Sequence, residues 1–163
     1  MVRERVRTAL GIVIIATLDL GAGYWARHAL RLGHTDKILG RWVGLHLLYN
    51  TGAMLGLGSR IPWLITGVGV AGVAVLTIWA WKSPTHSWPL ALMAGGALGN
   101  LLSRLIWHRV TDYMMVAGYP GIFNVSDVAL RVGVVWLIWD LVRQVRRLPD
   151  PAAPKTGGGS APS

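Results

Sequence analysis

Cysteine is absent from the 163-residue chain, and this absence excludes disulfides, a thiol nucleophile and thiolate metal sites. Acidic residues are also scarce: seven, against 16 Lys and Arg, leave a net charge of +9. Only 14% of the residues are charged and 53% are hydrophobic, which indicates a membrane protein rather than a soluble domain. The positive balance favours arginines facing anionic lipid over a nucleic-acid partner, because no basic stripe interleaved with aromatic residues is evident.

Four apolar segments predict four membrane helices. We expect helices over residues 8–25, 61–81, 88–106 and 125–142 in a single membrane domain, 1–148, with an extracytoplasmic segment over 26–60. In the last of these, only Val132 to Trp139 is uncharged, and that helix is predicted from two Trp residues followed by arginines, as at a membrane exit. Residues 149–163 are rich in Pro, Gly, Ala and Ser and predict a disordered tail.

The polar residues of these segments converge on one side of the membrane. Arginines at both ends predict two cytoplasmic termini, although basic residues in the segment 26–60 nearly balance them. Asp19 inside the first apolar run, without a clear cleavage site after it, favours an uncleaved helix over a signal peptide. With both termini inside, the outer side holds Asp19, Asn50, Asn100, Ser103, Arg104, Asp112, Asn124, Asp127 and Arg131.

Two of these acids indicate a specific chemistry. An ionisable group at membrane depth costs about 2.5–3.5 kcal/mol on insertion scales, so it is a candidate functional residue. If Asp112 and Asp127 face each other across a water, one stays protonated and one charged, as in an aspartic protease. Simpler interpretations remain open, namely an ion pair of Asp127 with Arg131 and a loop acid or helix cap at Asp112. No HExxH motif or helical His pair supports a zinc site.

Four motif blocks occur in order over about residues 10–140. The block "TLDLGAGYW" surrounds Asp19, and "YNTGAMLGL" contains Asn50, Gly52, Ala53 and Gly56 in an NxGAxxG pattern. The block "GGALGNLLSR" is similar to GGAxGNxxDR, and "VTDYM" followed by "FNVSD" is similar to VxDF and FNxAD. Each is weak alone, but the ordered set is specific: the chain resembles lipoprotein signal peptidase (signal peptidase II), a family of bacterial membrane aspartic peptidases.

The resemblance implies an all-α membrane protein with four transmembrane helices and a small extracytoplasmic β-sheet between helices 1 and 2. It implies that Asp112 and Asp127 are catalytic. It further implies a supporting or substrate-binding role for Asn50, Gly52, Asn100, Arg104, Asn124 and Asp19. The substrates would be prolipoproteins, cut on the amino side of a diacylglyceryl cysteine. The expected enzyme is a monomer among the lipids of the bacterial cytoplasmic (inner) membrane, with its site near the outer face and without metal, organic cofactor or nucleic acid.

Three positions depart from the family pattern. Ser103 stands where the family usually has Asp, Gly23 replaces a usual Lys in the first helix, and Ser126 replaces a usual Ala. The first change predicts a less firmly held Arg104, and the second predicts that Asp19 lacks a partner. These departures leave one alternative, a weakened or inactive relative that binds lipidated peptides. Four helices with an acid in the first also leave open a small proton-coupled transporter.

Overall fold

The computed structural model describes residues 2–52 and 61–147. Its long helices are α1 (Val2–Ala29), α2 (Pro62–Lys82), α3 (Ser87–Trp107) and α4 (Val125–Arg146), with a single 3-10 turn at Pro84–His86. Its strands are β1 (Thr35–Leu39), β2 (Val43–Asn50), β3 (Val110–Val116) and β4 (Ile122–Phe123). The predicted tail, 149–163, and the motif residues Ala53 and Gly56 lie outside the described residues.

Three of these helices are long and apolar enough to cross a membrane: α1, α2 and the segment Pro84–Trp107 that contains α3. Helix α1 begins six residues before the predicted start, because the basic residues ahead of the apolar run continue the helix as polar turns. Thr8 supports this extension by donating from Oγ1 to the Glu4 carbonyl oxygen at 2.9 Å. Helix α4 is of similar length but is interrupted by charged residues, and so falls short of the composition of a span.

The sheet is larger than the sequence predicts. Its strand order is β1-β2-β3-β4, and all neighbours are antiparallel. Strands β1 and β2 come from the segment between α1 and α2, as expected, but β3 and β4 come from the α3–α4 connection. The prediction that Asp112 lies in a short loop is therefore wrong. The β-branched and aromatic residues of "VTDYMMV" form a strand that pairs with β2.

Strands β2 and β3 present two faces. Cross-strand partners point to the same side, so the pairs Leu48–Asp112 and Asn50–Val110 share one face, and Tyr49–Thr111 lies on the other. The first side borders a cavity, and we call it the cavity face. The second packs on α1, where Ala26, Leu47 and Tyr113 form a buried cluster, and we call it the α1 face.

Glycines of α3 allow α1 and α4 to approach closely. A Cβ at Gly95 would lie 2.8 Å from the Ile15 Cβ, and one at Gly96 would lie 2.5 Å from the Ser126 carbonyl oxygen. A Cβ at Gly99 would collide with the Ser126 Oγ and lie 3.0 Å from Asp19 Oδ2. Gly95 and Gly99 have the GxxxG spacing typical of closely packed membrane helices, and here both lie at such a contact. Through this contact, α3 fixes where α1 and α4 place their acids.

Candidate active site

Asp112 lies in the middle of β3 and is almost fully buried on the cavity face, with 3% of its surface exposed. Each carboxyl oxygen accepts one amide hydrogen bond. Asn124 Nδ2 donates to Oδ1 at 2.9 Å, and Asn50 Nδ2 donates to Oδ2 at 3.2 Å. Burial raises the pKa of Asp112 from 3.8 to about 7, aided by the nearby Asp127 charge and opposed by the Asn50 hydrogen bond.

Asp127 lies in the first turn of α4, where the helix dipole favours a negative charge. Its backbone N–H donates to Asn124 Oδ1 at 2.8 Å, so Asn124 caps this helix. Its carboxylate accepts from Asn100 Nδ2 at 3.3 Å, and the residue is half-buried. The cap therefore fixes the backbone of Asp127, and the amide fixes its side chain.

Asn124 connects the two acids and is 1% exposed. Its amide nitrogen donates to Asp112 and also to Asn100 Oδ1, at 3.1 Å, and Asn100 in turn donates to Asp127. One chain of amide hydrogen bonds thus runs from the first acid to the second. Each amide uses its donor and its acceptor once or more, which fixes the orientation of both side chains.

Arg104 ties α3 to the end of the second motif. Its Nη2 donates to the Gly52 carbonyl oxygen at 2.7 Å, and its Nη1 donates to the Asn100 carbonyl oxygen at 3.0 Å. The guanidinium is therefore held although Ser103, itself buried, replaces the family's usual Asp. Its charge lowers the pKa of Asp112, but this effect is smaller than that of burial.

Asp19 has a partner, so the expectation that Gly23 leaves it without one is wrong. The Ser126 backbone N–H donates to Asp19 Oδ1 at 2.9 Å, in a contact between α1 and the first turn of α4. Together with the Asn124 cap, this bond satisfies two of the N–H groups that a helix start leaves open. Asp19 does not reach the amide chain; it holds the helix turn that carries Asp127.

Arg131 does not form the ion pair with Asp127 that the sequence left open as an alternative. Within the described residues, no ion pair joins the two side chains. The guanidinium carbon instead lies 5.1 Å from the Tyr119 ring centroid and 5.5 Å from that of Phe123. Stacking on these rings attracts the cation toward the β3–β4 connection, so Asp127 keeps its amide partner.

A cavity of about 470 Å³ brings most of the predicted site residues together. Its polar wall holds Asn50, Asn100, Arg104, Asp112, Asp127 and Arg131. Its apolar wall comes mainly from α2 and α3 and includes Ile65, Val68, Gly69, Gly72, Leu76, Ala97 and Leu101. No part in the site was predicted for α2. The small residues that line the cavity, Gly69 and Gly72, are the signal in its sequence that could have indicated one. Gly52, Asn124 and Asp19 lie behind the wall and hold the residues that line it.

Known proteins are similar to this chain in sequence and in fold. A family model described as signal peptidase (SPase) II matches residues 11–143. A lipoprotein signal peptidase of Coxiella burnetii (strain Dugway 5J108-111) is 38% identical over 137 residues, which cover 77% of this chain and 83% of that protein. One of Bartonella tribocorum (strain CIP 105476 / IBS 506) is 30% identical over 144 residues, 82% of this chain and 85% of the relative.

The fold is similar to that of a solved bacterial membrane enzyme, whose structure was obtained by the in meso method at 2.3 Å resolution. The two structures superpose with a TM-score of 0.80, covering 88% of this chain and 93% of the other at 20% identity. A second solved bacterial membrane enzyme gives a TM-score of 0.68 at the same identity. At this identity the likeness concerns the fold alone, which the two structures share over nearly their whole length.

Proposed function

The chain belongs to the signal peptidase II family, aspartic endopeptidases that remove signal peptides from prolipoproteins, and we propose that Asp112 and Asp127 carry out this cleavage. One observation carries the proposal. The two acids lie in different elements, β3 and α4, yet one chain of amide hydrogen bonds through Asn124 and Asn100 joins them at a shared cavity. Neutral donors hold both carboxyl groups without adding charge. One acid can therefore stay protonated while the other stays charged, as acid–base catalysis requires.

The environments of the two acids support unequal roles. Asp112 is the buried acid whose pKa of about 7 keeps a proton available near neutral pH. Asp127 is half-buried at a helix N-terminus, where a carboxylate is favoured. We assign Asp112 as the general acid and Asp127 as the general base. This assignment rests on the burial of Asp112 and on the position of Asp127 at a helix start. It does not require Asp127 to pair with Arg131.

The proposed reaction follows from these charge states. The Asp127 carboxylate takes a proton from water, and the water oxygen attacks the scissile carbonyl carbon while Asp112 gives its proton to the carbonyl oxygen. The resulting gem-diol collapses as the C–N bond breaks. Asp127 then gives its proton to the leaving amine nitrogen, and Asp112 regains a proton from one hydroxyl of the gem-diol as the carboxylic acid product forms. Both acids return to their starting states, so each turnover consumes one water.

The apolar wall of the cavity supports a lipidated substrate. Side chains of α2 and α3 face the acids across the cavity and offer apolar contact beside the polar wall. A diacylglyceryl cysteine presents such an apolar group next to the peptide bond on its amino side. We propose that the lipid packs against α2 while that peptide bond reaches the acids. Gly52, held by Arg104, would position the peptide backbone beside Asn50.

We further propose that α4 is a fourth span and that the sheet lies on the outer side. Helix α4 runs antiparallel along α3: Gly96 contacts Ser126, and Gly133 contacts Pro89 and Met93. A helix packed along a spanning helix over this length shares its depth. Because the chain has no cysteine, single-Cys variants test this topology cleanly. A membrane-impermeant maleimide added to intact cells should label Lys37→Cys in β1 and leave both Arg3→Cys and Arg146→Cys, at the end of α4, unlabelled.

Asp112→Asn and Asp127→Asn test the dyad, and this is the largest effect we predict. Each variant should lose at least about 10⁴-fold in cleavage of a diacylglyceryl prolipoprotein by the purified protein, since the reaction then lacks its acid or its base. The matched control is Asp36→Asn, an exposed acid of β1 in the same sheet, which should cleave normally. Full cleavage by either dyad variant would reject the assignment. Binding of the substrate by the wild-type protein without any turnover would favour the inactive relative instead.

A further inference from the structure

Two arginines share one aromatic ring on the α1 face, on the opposite side of the strands from the cavity. The Arg109 guanidinium carbon lies 3.8 Å from the Tyr49 ring centroid, and that of Arg27 lies 5.0 Å from the same centroid. Arg27 also stacks on Trp107 at 4.3 Å. No basic and aromatic stripe is evident in the sequence, because these four residues come from α1, β2, the end of α3 and the short connection after it. We call Arg27, Tyr49, Trp107 and Arg109 the basic–aromatic cluster.

Within residues 2–52 and 61–147, the two positive charges of the cluster have no counter-ion. Among the described hydrogen bonds and ion pairs, none involves either guanidinium. Arg27 Nε and Nη2 and Arg109 Nε are buried without an acceptor, while both side chains remain half-exposed overall. Like charges around one ring repel each other, and a bound anion would remove this repulsion.

The geometry suits a tetrahedral anion. Both arginine side chains remain half-exposed, and a guanidinium can bond two phosphate oxygens at once through a fork of N–H groups. The rings also restrict each arginine before a ligand arrives, which lowers the entropy lost on binding. A helix-end role alone does not explain the pair, because an arginine that caps a helix C-terminus donates to its carbonyl oxygens.

The position of the cluster identifies the source of the phosphate. Arg27 lies in the last turn of α1 and Trp107 is the last residue of α3, so the cluster lies where two membrane-crossing helices end together. Trp and Arg at such a boundary contact the headgroup region. We propose that the basic–aromatic cluster binds the phosphodiester of an anionic phospholipid, such as phosphatidylglycerol, and so anchors the sheet to the bilayer surface.

Native mass spectrometry of the purified full chain tests this proposal. The protein should retain phosphatidylglycerol about tenfold better than phosphatidylcholine of the same acyl chains, because choline would add a third cation to the site. Arg27→Gln and Arg109→Gln should each weaken retention by about tenfold. The matched control is Arg41→Gln, which removes an exposed arginine that also stacks on an aromatic ring, Trp42, at 4.9 Å. This control should retain the lipid as the wild type does.

Four results would overturn the proposal. Equal weakening by Arg41→Gln would show that the effect is general electrostatics, and full retention by both cluster variants would exclude the site. Displacement of the lipid by inorganic phosphate or by a soluble acidic peptide at equal concentration would assign the cluster to a soluble anion. Equal retention of phosphatidylglycerol and phosphatidylcholine by the wild-type protein would reject the proposal, even if the variants fail to fold. Since none of these measurements uses cleavage, they are independent of the proposed active site.

Discussion

The two faces of strands β2 and β3 surround their ionisable groups differently: acids held by amides lie at one face, and two arginines around one ring lie at the other. On the cavity face, Asp112 and Asn50 belong to a network in which the carboxyl groups are held by amides. On the α1 face, Arg27 and Arg109 surround Tyr49 and have no acid among their described partners. Because side chains alternate along a strand, Tyr49, which both arginines contact, lies on the opposite side of the sheet from Asp112.

This separation explains why the acid retains its proton. An arginine that paired directly with Asp112 would favour its charged form and lower its pKa. Amides satisfy the carboxyl oxygens without adding charge, so burial dominates and the pKa rises to about 7. Of the two arginines at the cavity, Arg104 donates both of its described hydrogen bonds to carbonyl oxygens, and Arg131 lies beside aromatic rings. The comparison therefore predicts large effects from changes to the amides and small effects from changes on the α1 face.

Asn124→Ala should cause the largest loss after the acids themselves. It removes the donor to Asp112 Oδ1 and to Asn100 Oδ1, and it removes the acceptor of the Asp127 N–H. We expect kcat/KM to fall about 100-fold and the unfolding free energy to fall by about 1 kcal/mol through the lost cap. Single-turnover cleavage and thermal unfolding measure the two effects.

Asn124→Ser separates them. A serine still caps α4 but lacks the amide that donates to Asp112, so stability should recover while cleavage stays low. If Asn124→Ser instead restores cleavage, the amide donor to Asp112 is not needed.

Asp19→Ala should cause a smaller loss, because Asp19 acts through the position of α4. The change removes the acceptor of the Ser126 N–H, and we expect about 1–2 kcal/mol lower stability and about tenfold lower kcat/KM. Asp19→Asn keeps an acceptor oxygen and should recover most of both quantities. Equal losses in the two variants would mean that the Asp19 charge is required, which a capping role does not predict.

The pH profile should show the raised pKa of Asp112 directly. Because the acid form is needed, kcat/KM should be retained below about pH 7 and fall above it as Asp112 loses its proton. The Asn50 hydrogen bond lowers this pKa, so Asn50→Ala should move the alkaline limb to higher pH while lowering the maximum several-fold. A limb that moves to lower pH, or that stays in place, would reject Asp112 as the titrating acid.

The sequence predicts the two faces unequally. Motif order identifies Asp112, Asp127 and the amides, because each motif places its residues locally. It does not predict that Asp112 lies in a strand, since that strand pairs with β2, which lies far earlier in the chain: Asp112 pairs with Leu48 and accepts a side-chain bond from Asn50, 62 residues away. The Asp19–Ser126 bond spans 107 residues, and the basic–aromatic cluster joins three separate segments. Such contacts depend on how the helices and strands pack, which local patterns and propensities do not encode.

Thr111→Val should have the smallest effect and is the sharpest test of the two faces. Thr111 is adjacent to Asp112 but points to the α1 face, where its Oγ1 is buried without a hydrogen-bond partner. Valine removes this desolvated hydroxyl, so the unfolding free energy should stay constant or rise by up to about 1 kcal/mol. The value of kcat/KM should stay within about twofold, and the alkaline limb of the pH profile should not move. The Asn50→Ala variant is measured in parallel. A shift of the alkaline limb in Thr111→Val would mean that a change on the α1 face alters the pKa of Asp112 on the cavity face.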